Sequence, residues 1–252
     1  MSWVETIRDV NLANLCVKSF KYEEEIRNRV KQTPLVIFKR QELTNKQLLH
    51  FVSVLGTPWD NNTFSGNLQT SLKYEIENDS IEIVSHDGIL KNRDVPWHLD
   101  LTHYPTQNIP NRLLYAFEDI NKTPTIFFNS SLALKKRPDI IENLKYRYVY
   151  HKATYNTPWN WPIKRPCIQK HPYHDYWSLL INKSFCVEKD WFTRKWFDEF
   201  IEDIWDDDLE YVHTYEKGDL VVYDNLSLLH RRPTFKDGPR RLKRVTWEPY
   251  WY

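Results

Sequence analysis

The feature that most constrains the fold is a recurrence of short apolar runs from residue 35 onward, at 35–38, 112–117, 125–128, 177–181 and 220–223. Runs of this length read as strands. Between them lie long irregular stretches, 60–96 and 156–172, rich in Asn, Pro and aromatic residues and longer than the usual connections of a compact domain. Helices are expected at three places. Residues 45–55 follow Thr44, which with Gln47 forms a capping box, and Gly56 and Pro58 close the end. Residues 23–30 form an amphipathic segment. Residues 191–205 place Trp191, Phe192, Trp196, Phe197, Phe200, Ile201, Ile204 and Trp205 at helical spacing, which predicts a helix packed on a sheet.

With 252 residues, 41% of them hydrophobic and 15% aromatic, the chain can bury a sizeable core, and one domain spanning 1–252 is expected. Lys and Arg number 35 against 34 Asp and Glu, so there is no global positive field to attract nucleic acid. Cys16, Cys167 and Cys186 are odd in number and far apart, which fits a reducing compartment better than a disulfide framework. No segment approaches the roughly 20 apolar residues of a membrane span, and the first ten residues carry Glu5, Arg8 and Asp9 where a signal peptide needs an apolar stretch. A cytoplasmic protein with no membrane partner is expected.

Three segments carry chemistry. In Pro96-Trp97-His98-Leu99-Asp100-Leu101, a strand would point residues i and i+2 the same way, so that His98 and Asp100 could share an ion. Alone this is weak, since roughly one such pair is expected by chance in a chain of this composition. The second segment, 218–230, reads as a turn, Gly218-Asp219, feeding an apolar strand that delivers His230 at its far end. A lone His there is more often structural than a ligand. The third, 240–247, alternates as a strand and puts Arg240, Leu242 and Arg244 on one face. Two inward guanidinium groups call for an anion to offset their desolvation, and arginine grips a carboxylate in bidentate fashion.

Taken in order, these segments resemble the taurine dioxygenase-like (TauD/TfdA-type) 2-oxoglutarate oxygenases. The likeness extends to residues 124–130, His171-Pro172, the Gly218-Asp219 turn and Asp224-Asn225. It implies a mixed α/β, mainly β fold, a double-stranded β-helix or jelly roll with flanking helices. It implies Fe(II) held by His98, Asp100 and His230, with 2-oxoglutarate and O2 as co-substrates. Thr125 would help bind 2-oxoglutarate, Arg240 would pair with its far carboxylate, and Arg244 would lie nearer the metal, touching the other end of 2-oxoglutarate or an anionic substrate group. Arg241 is then a surface residue. Asp100 keeps the carboxylate that halogenating relatives lack, so hydroxylation or a related oxidation is expected.

The partner implied is a small molecule, with an anionic or zwitterionic group favoured by Arg244, and relatives often form homo-oligomers. Three other readings compete. The fold could serve a non-catalytic cupin-like binding protein, and the basic segment 231–244 could bind nucleic acid. A zinc hydrolase could use the same three ligands, but would leave the arginine pair without a role. His103, His151, His171, His174 and His213 read as structural or loop residues. Trp159, Asn160 and Trp161, and residues 64–94, are candidates for a lid.

Overall fold

The structure is a computed structural model that describes residues 2–17, 20–60, 75–78, 80–85, 92–106, 108–120, 122–152, 161–188, 191–235 and 238–251. In chain order its elements are β1 (Val4–Ile7), α1 (Phe20–Gln32), β2 (Leu35–Phe38), α2 (Asn45–Leu55), β3 (Gly56–Pro58), β4 (Glu75–Asn78), β5 (Ile81–Ser85), β6 (Val95–His98), β7 (Asn111–Tyr115) and β8 (Thr125–Asn129). There follow α3 (Ser130–Lys135), α4 (Pro138–Leu144), β9 (Tyr148–His151), β10 (Ile163–Pro166), β11 (Ile168–Lys170), β12 (Trp177–Leu179) and α5 (Arg194–Asp203). The chain closes with β13 (Glu210–His213), β14 (Leu220–Tyr223), β15 (Leu228–Arg232) and β16 (Arg241–Pro249). The fold is mixed α/β and mainly sheet.

An eight-stranded sheet runs β1-β2-β14-β7-β16-β5-β4, with β3 also on β16, and a four-stranded sheet runs β13-β8-β15-β6. Period-two alternation explains how they stack. On β2, Leu35 and Ile37 face the second sheet, where they meet Phe127 of β8 and Leu228 of β15 in one apolar cluster with Leu114, Val221, Tyr223 and Leu242. Their neighbours Val36 and Phe38 point the other way, onto Leu48, Phe51, Val52 and Leu55 of α2 and Ile26 and Val30 of α1. The outer face of the smaller sheet, with Phe128 and Leu229, packs against Phe197, Phe200 and Ile201 of α5. Helices thus cover the outer faces, and the space between the sheets is left for inward-pointing residues of β6, β7, β8, β14, β15 and β16.

Several sequence expectations need correction. The helix read at 191–205 spans only Arg194–Asp203, because the Thr193 side chain accepts the Trp196 N–H and starts the helix there. Its apolar flanks Phe192 and Ile204 are still buried. The stretches read as irregular hold β4 and β5 before His98 and β10 and β11 after residue 160; these strands are three to five residues long and interrupted by charged or polar residues, which hid them. The segment 218–230 is two strands, since residues 224–227 turn the chain from one sheet into the other. The helix at 45–55 forms as read, capping box included. Gly56, however, is extended (φ 176°) and opens a strand: a Cβ there would lie 2.0 Å from the Glu248 carbonyl oxygen of β16.

Candidate metal and co-substrate site

His98 closes β6 and His230 lies in β15, directly opposite it in the antiparallel pairing. The strand expected through 96–101 ends at His98. Asp100 follows on a turn in which Leu101 takes a left-handed conformation (φ 65°), so its side chain reaches the histidines by a bend rather than by strand alternation. The imidazole centroids are 4.1 Å apart, the Asp100 carboxylate lies 3.9 Å from His98 Nε2 and 3.5 Å from His230 Nε2, and one donor atom from each residue falls within 4.8 Å of the others.

Electrostatics prepare these donors. Burial and the neighbouring His230 push His98 down to about 4, against the pull of Asp100, so its ring is neutral at physiological pH. His98 Nδ1 lies 2.8 Å from the Pro96 carbonyl, to which it donates, and this leaves the Nε2 lone pair for the site. Burial works to raise Asp100, but Arg112, His230 and Arg244 together hold its carboxyl well below the ordinary range. Arg112, buried on β7, places Nε 3.3 Å from Asp100 Oδ2, and the Tyr223 hydroxyl lies 3.4 Å from the same oxygen. Two imidazoles and an ionised carboxylate on one side of an open position suit divalent iron, so the residues fit the metal that the resemblance implies.

The turn carrying Asp100 is held from three directions. Asn225 accepts the Asp100 N–H (3.0 Å) and donates to the Asp100 and Pro110 carbonyls (3.1 Å each). Asn182 donates to the Leu99 carbonyl at 2.6 Å. Arg165 donates to the carbonyls of Thr102, Tyr104 and Thr106. The sequence hinted at Asn225 only through the Asp224-Asn225 motif. Arg112, Asn182, Arg165 and Tyr223 were missed, and no local pattern marks them.

A small cleft, open to solvent, joins His98, Asp100 and His230 to Thr125, Arg231, Arg232, Arg240 and Arg244, with Val84, Val95 and Leu114 as apolar walls. Arg240 donates to the Thr125 hydroxyl (3.2 Å) and lies over the Tyr215 ring, and burial depresses its guanidinium. Arg241 turns away to Glu118 (3.5 Å) and is part exposed. Arg244 lines the cleft but is ion-paired to Glu82 of β5. Arg232, Arg240 and Lys243 of the basic segment are buried and face inward rather than onto the surface.

A second group, His171, His174 and Asp224, also brings donors within 4.8 Å. Here the hydrogen bonds are already made: His171 Nε2 donates to Asp224 (2.8 Å), and its Nδ1 accepts the His174 N–H (3.3 Å). Of the lid candidates, Trp161 is exposed, Trp159 and Asn160 lie outside the described residues, and so does much of 64–94. Cys167 and Cys186 are free and buried. No helix among the described residues is long and apolar enough to cross a membrane.

Comparison with known proteins bears on the fold and on the C-terminal half of the chain. Residues 131–246 match the model of the taurine catabolism dioxygenase TauD, TfdA family, a span that takes in His230, Arg240 and Arg244 and begins after Thr125. The fold is similar to a taurine dioxygenase from Burkholderia xenovorans, with TM-score 0.73 and 20% identity over 96% of this chain and 88% of the other. It is also similar to AAD-2 in complex with Mn(II) and N-oxalylglycine, with TM-score 0.76 and 18% identity over 99% and 96%. At such identities the structural likeness speaks for the fold alone. No curated protein matches by sequence. Over residues 131–246, then, the chain resembles the TauD/TfdA dioxygenases, and over nearly its whole length it shares their fold.

Proposed function

We propose that this chain is an Fe(II)- and 2-oxoglutarate-dependent dioxygenase that hydroxylates or otherwise oxidises a small molecule, with O2 as second co-substrate and succinate and carbon dioxide as co-products. The observation that carries the reading is the convergence of His98, Asp100 and His230 in one cleft with the Arg240–Thr125 pair. The two facing sheets are consistent with the halves of a jelly roll.

Bound by those three residues, ferrous iron would supply the dioxygen chemistry that side chains lack. Everything else falls to the chain. Burial keeps the His98 ring neutral, so no proton has to leave it before it can donate its lone pair. Arg112 keeps Asp100 ionised and orients it. Arg240 and Thr125 together offer a planar cation and a hydroxyl, the pairing that holds a carboxylate in one orientation, and we assign them to the far end of 2-oxoglutarate. Val84, Val95 and Leu114 present no hydrogen-bonding groups to the cleft, which favours exclusion of water from the reacting centre.

Anaerobic titration with Fe(II) and 2-oxoglutarate tests this. A weak visible charge-transfer band is expected in wild type and is abolished in His98→Ala and His230→Ala. In Arg240→Ala the 2-oxoglutarate concentration needed should rise by about 100-fold, the loss expected for a charge-assisted contact. Absence of the band in wild type would overturn the assignment.

A further inference from the structure

The reading above leaves the substrate's chemistry open, and the environment of Arg244 narrows it. Arg244 on β16 stands directly opposite Glu82 on β5 in the antiparallel register, so both side chains project from the same face of the sheet. Arg244 Nε donates to Glu82 Oε2 at 2.6 Å, and its terminal nitrogen lies 2.5 Å from the same oxygen. That oxygen is also 3.7 Å from Arg112, which in turn reaches Asp100. Two carboxylates and two guanidiniums therefore alternate from the metal ligand to the cleft wall, and their formal charges cancel. All four are largely shielded, with side-chain exposures of 16% for Asp100, 3% for Arg112, 18% for Glu82 and 15% for Arg244.

An arginine whose charge is already matched offers little to an anion. One seated on Arg244 would also stand beside the Glu82 carboxylate, with limited water to screen the repulsion. The expectation that Arg244 favours an anionic or zwitterionic substrate took that arginine as an unmatched cation facing the cleft, and its pairing with Glu82 argues the other way. We propose that Glu82 is a specificity-determining residue, which withdraws Arg244 from substrate anions, so that the site takes a small molecule whose group nearest the metal is uncharged. This rests on the dioxygenase reading and deepens it.

The test uses protein loaded with Mn(II) and 2-oxoglutarate without oxygen, so that nothing turns over and the Arg240 side is filled. Calorimetry then compares propane-1-sulfonate with its uncharged counterpart methyl propyl sulfone. Wild type should bind the sulfonate no better than the sulfone. Glu82→Gln and Glu82→Ala should each shift the ratio toward the sulfonate by about tenfold, the scale of one charge-assisted hydrogen bond, and adding Arg244→Gln should cancel the gain. A wild type that prefers the sulfonate tenfold, or Glu82 variants that gain no sulfonate binding, would overturn the inference while leaving the dioxygenase reading intact. Failure to take up 2-oxoglutarate in the loading step would remove that reading and this inference with it.

Discussion

Asn225 shapes the proposed metal site without belonging to its donor group. Its side chain takes up both the N–H and the carbonyl of Asp100, and so fixes the backbone of a candidate ligand that sits on a bend rather than in a strand. Replacing Asn225 by Ala should weaken Fe(II) affinity by about 10- to 100-fold, the usual cost of losing a group that orients a ligand. Equilibrium metal titration would measure the loss, and an unchanged circular dichroism spectrum would separate it from unfolding. An affinity equal to wild type would mean that the turn stands without Asn225. At this scale the sequence was informative where chemistry requires a residue type at a fixed spacing, as for His98, Asp100, His230 and the arginine pair. It was silent on Arg112, Glu82, Asn182 and Arg165, whose roles come from partners far along the chain. Glu82, for instance, meets Arg244 across 162 positions.

Strands and helices were legible in proportion to how strongly one physical signal dominated them. The capping box at Thr44 and Gln47 fixed the start of α2, and continuous apolar runs marked β2 and β14, each buried on both faces. The long aromatic segment misled at its ends, because Trp191, Phe192 and Trp205 pack on the same core as α5 without being helical. Gly56 looked like a helix stop, yet what demands glycine is the close passage of β16. Gly56→Ala should therefore cost about 3 kcal/mol through displacement of a packed backbone. Chemical denaturation would report it, and a loss below about 0.5 kcal/mol, the range of an ordinary surface change, would mean that β3 yields without cost.

Burial holds His151 and His103 in the neutral form, and that ties the stability of the whole molecule to pH. His151 accepts the Asn182 N–H at Nε2 (3.2 Å), and burial, followed by Arg165 and His103, drives it down to about 3. Its folded value lies below its unfolded one, so between about 3 and about 6.5 the unfolded chain binds the extra proton and stability falls as pH falls. His103, lowered to about 4 by burial, adds in the same direction. For His151 alone the loss from pH 7 to pH 5 should be about 2 kcal/mol. Denaturant midpoints at the two pH values should show it, and His151→Phe should reduce the slope; a slope unaffected by that change would assign the proton elsewhere. The layered arrangement itself was only partly foreseen, since which sheet each strand joins depends on the turn at 224–227, and apolar pattern alone does not specify it.

Among the described residues, β6 lies at the edge of the four-stranded sheet, paired to β15 alone, and His98 faces His230 across that ladder. An ion shared between them would act as a cross-link at that edge. Amide hydrogen exchange at residues 95–98 should accordingly slow when Fe(II) or Mn(II) is added, while the centre of the large sheet stays unchanged. Metal supply would then govern the integrity of this margin as well as catalysis, and protein starved of iron would be the form most exposed to pairing with another chain along β6.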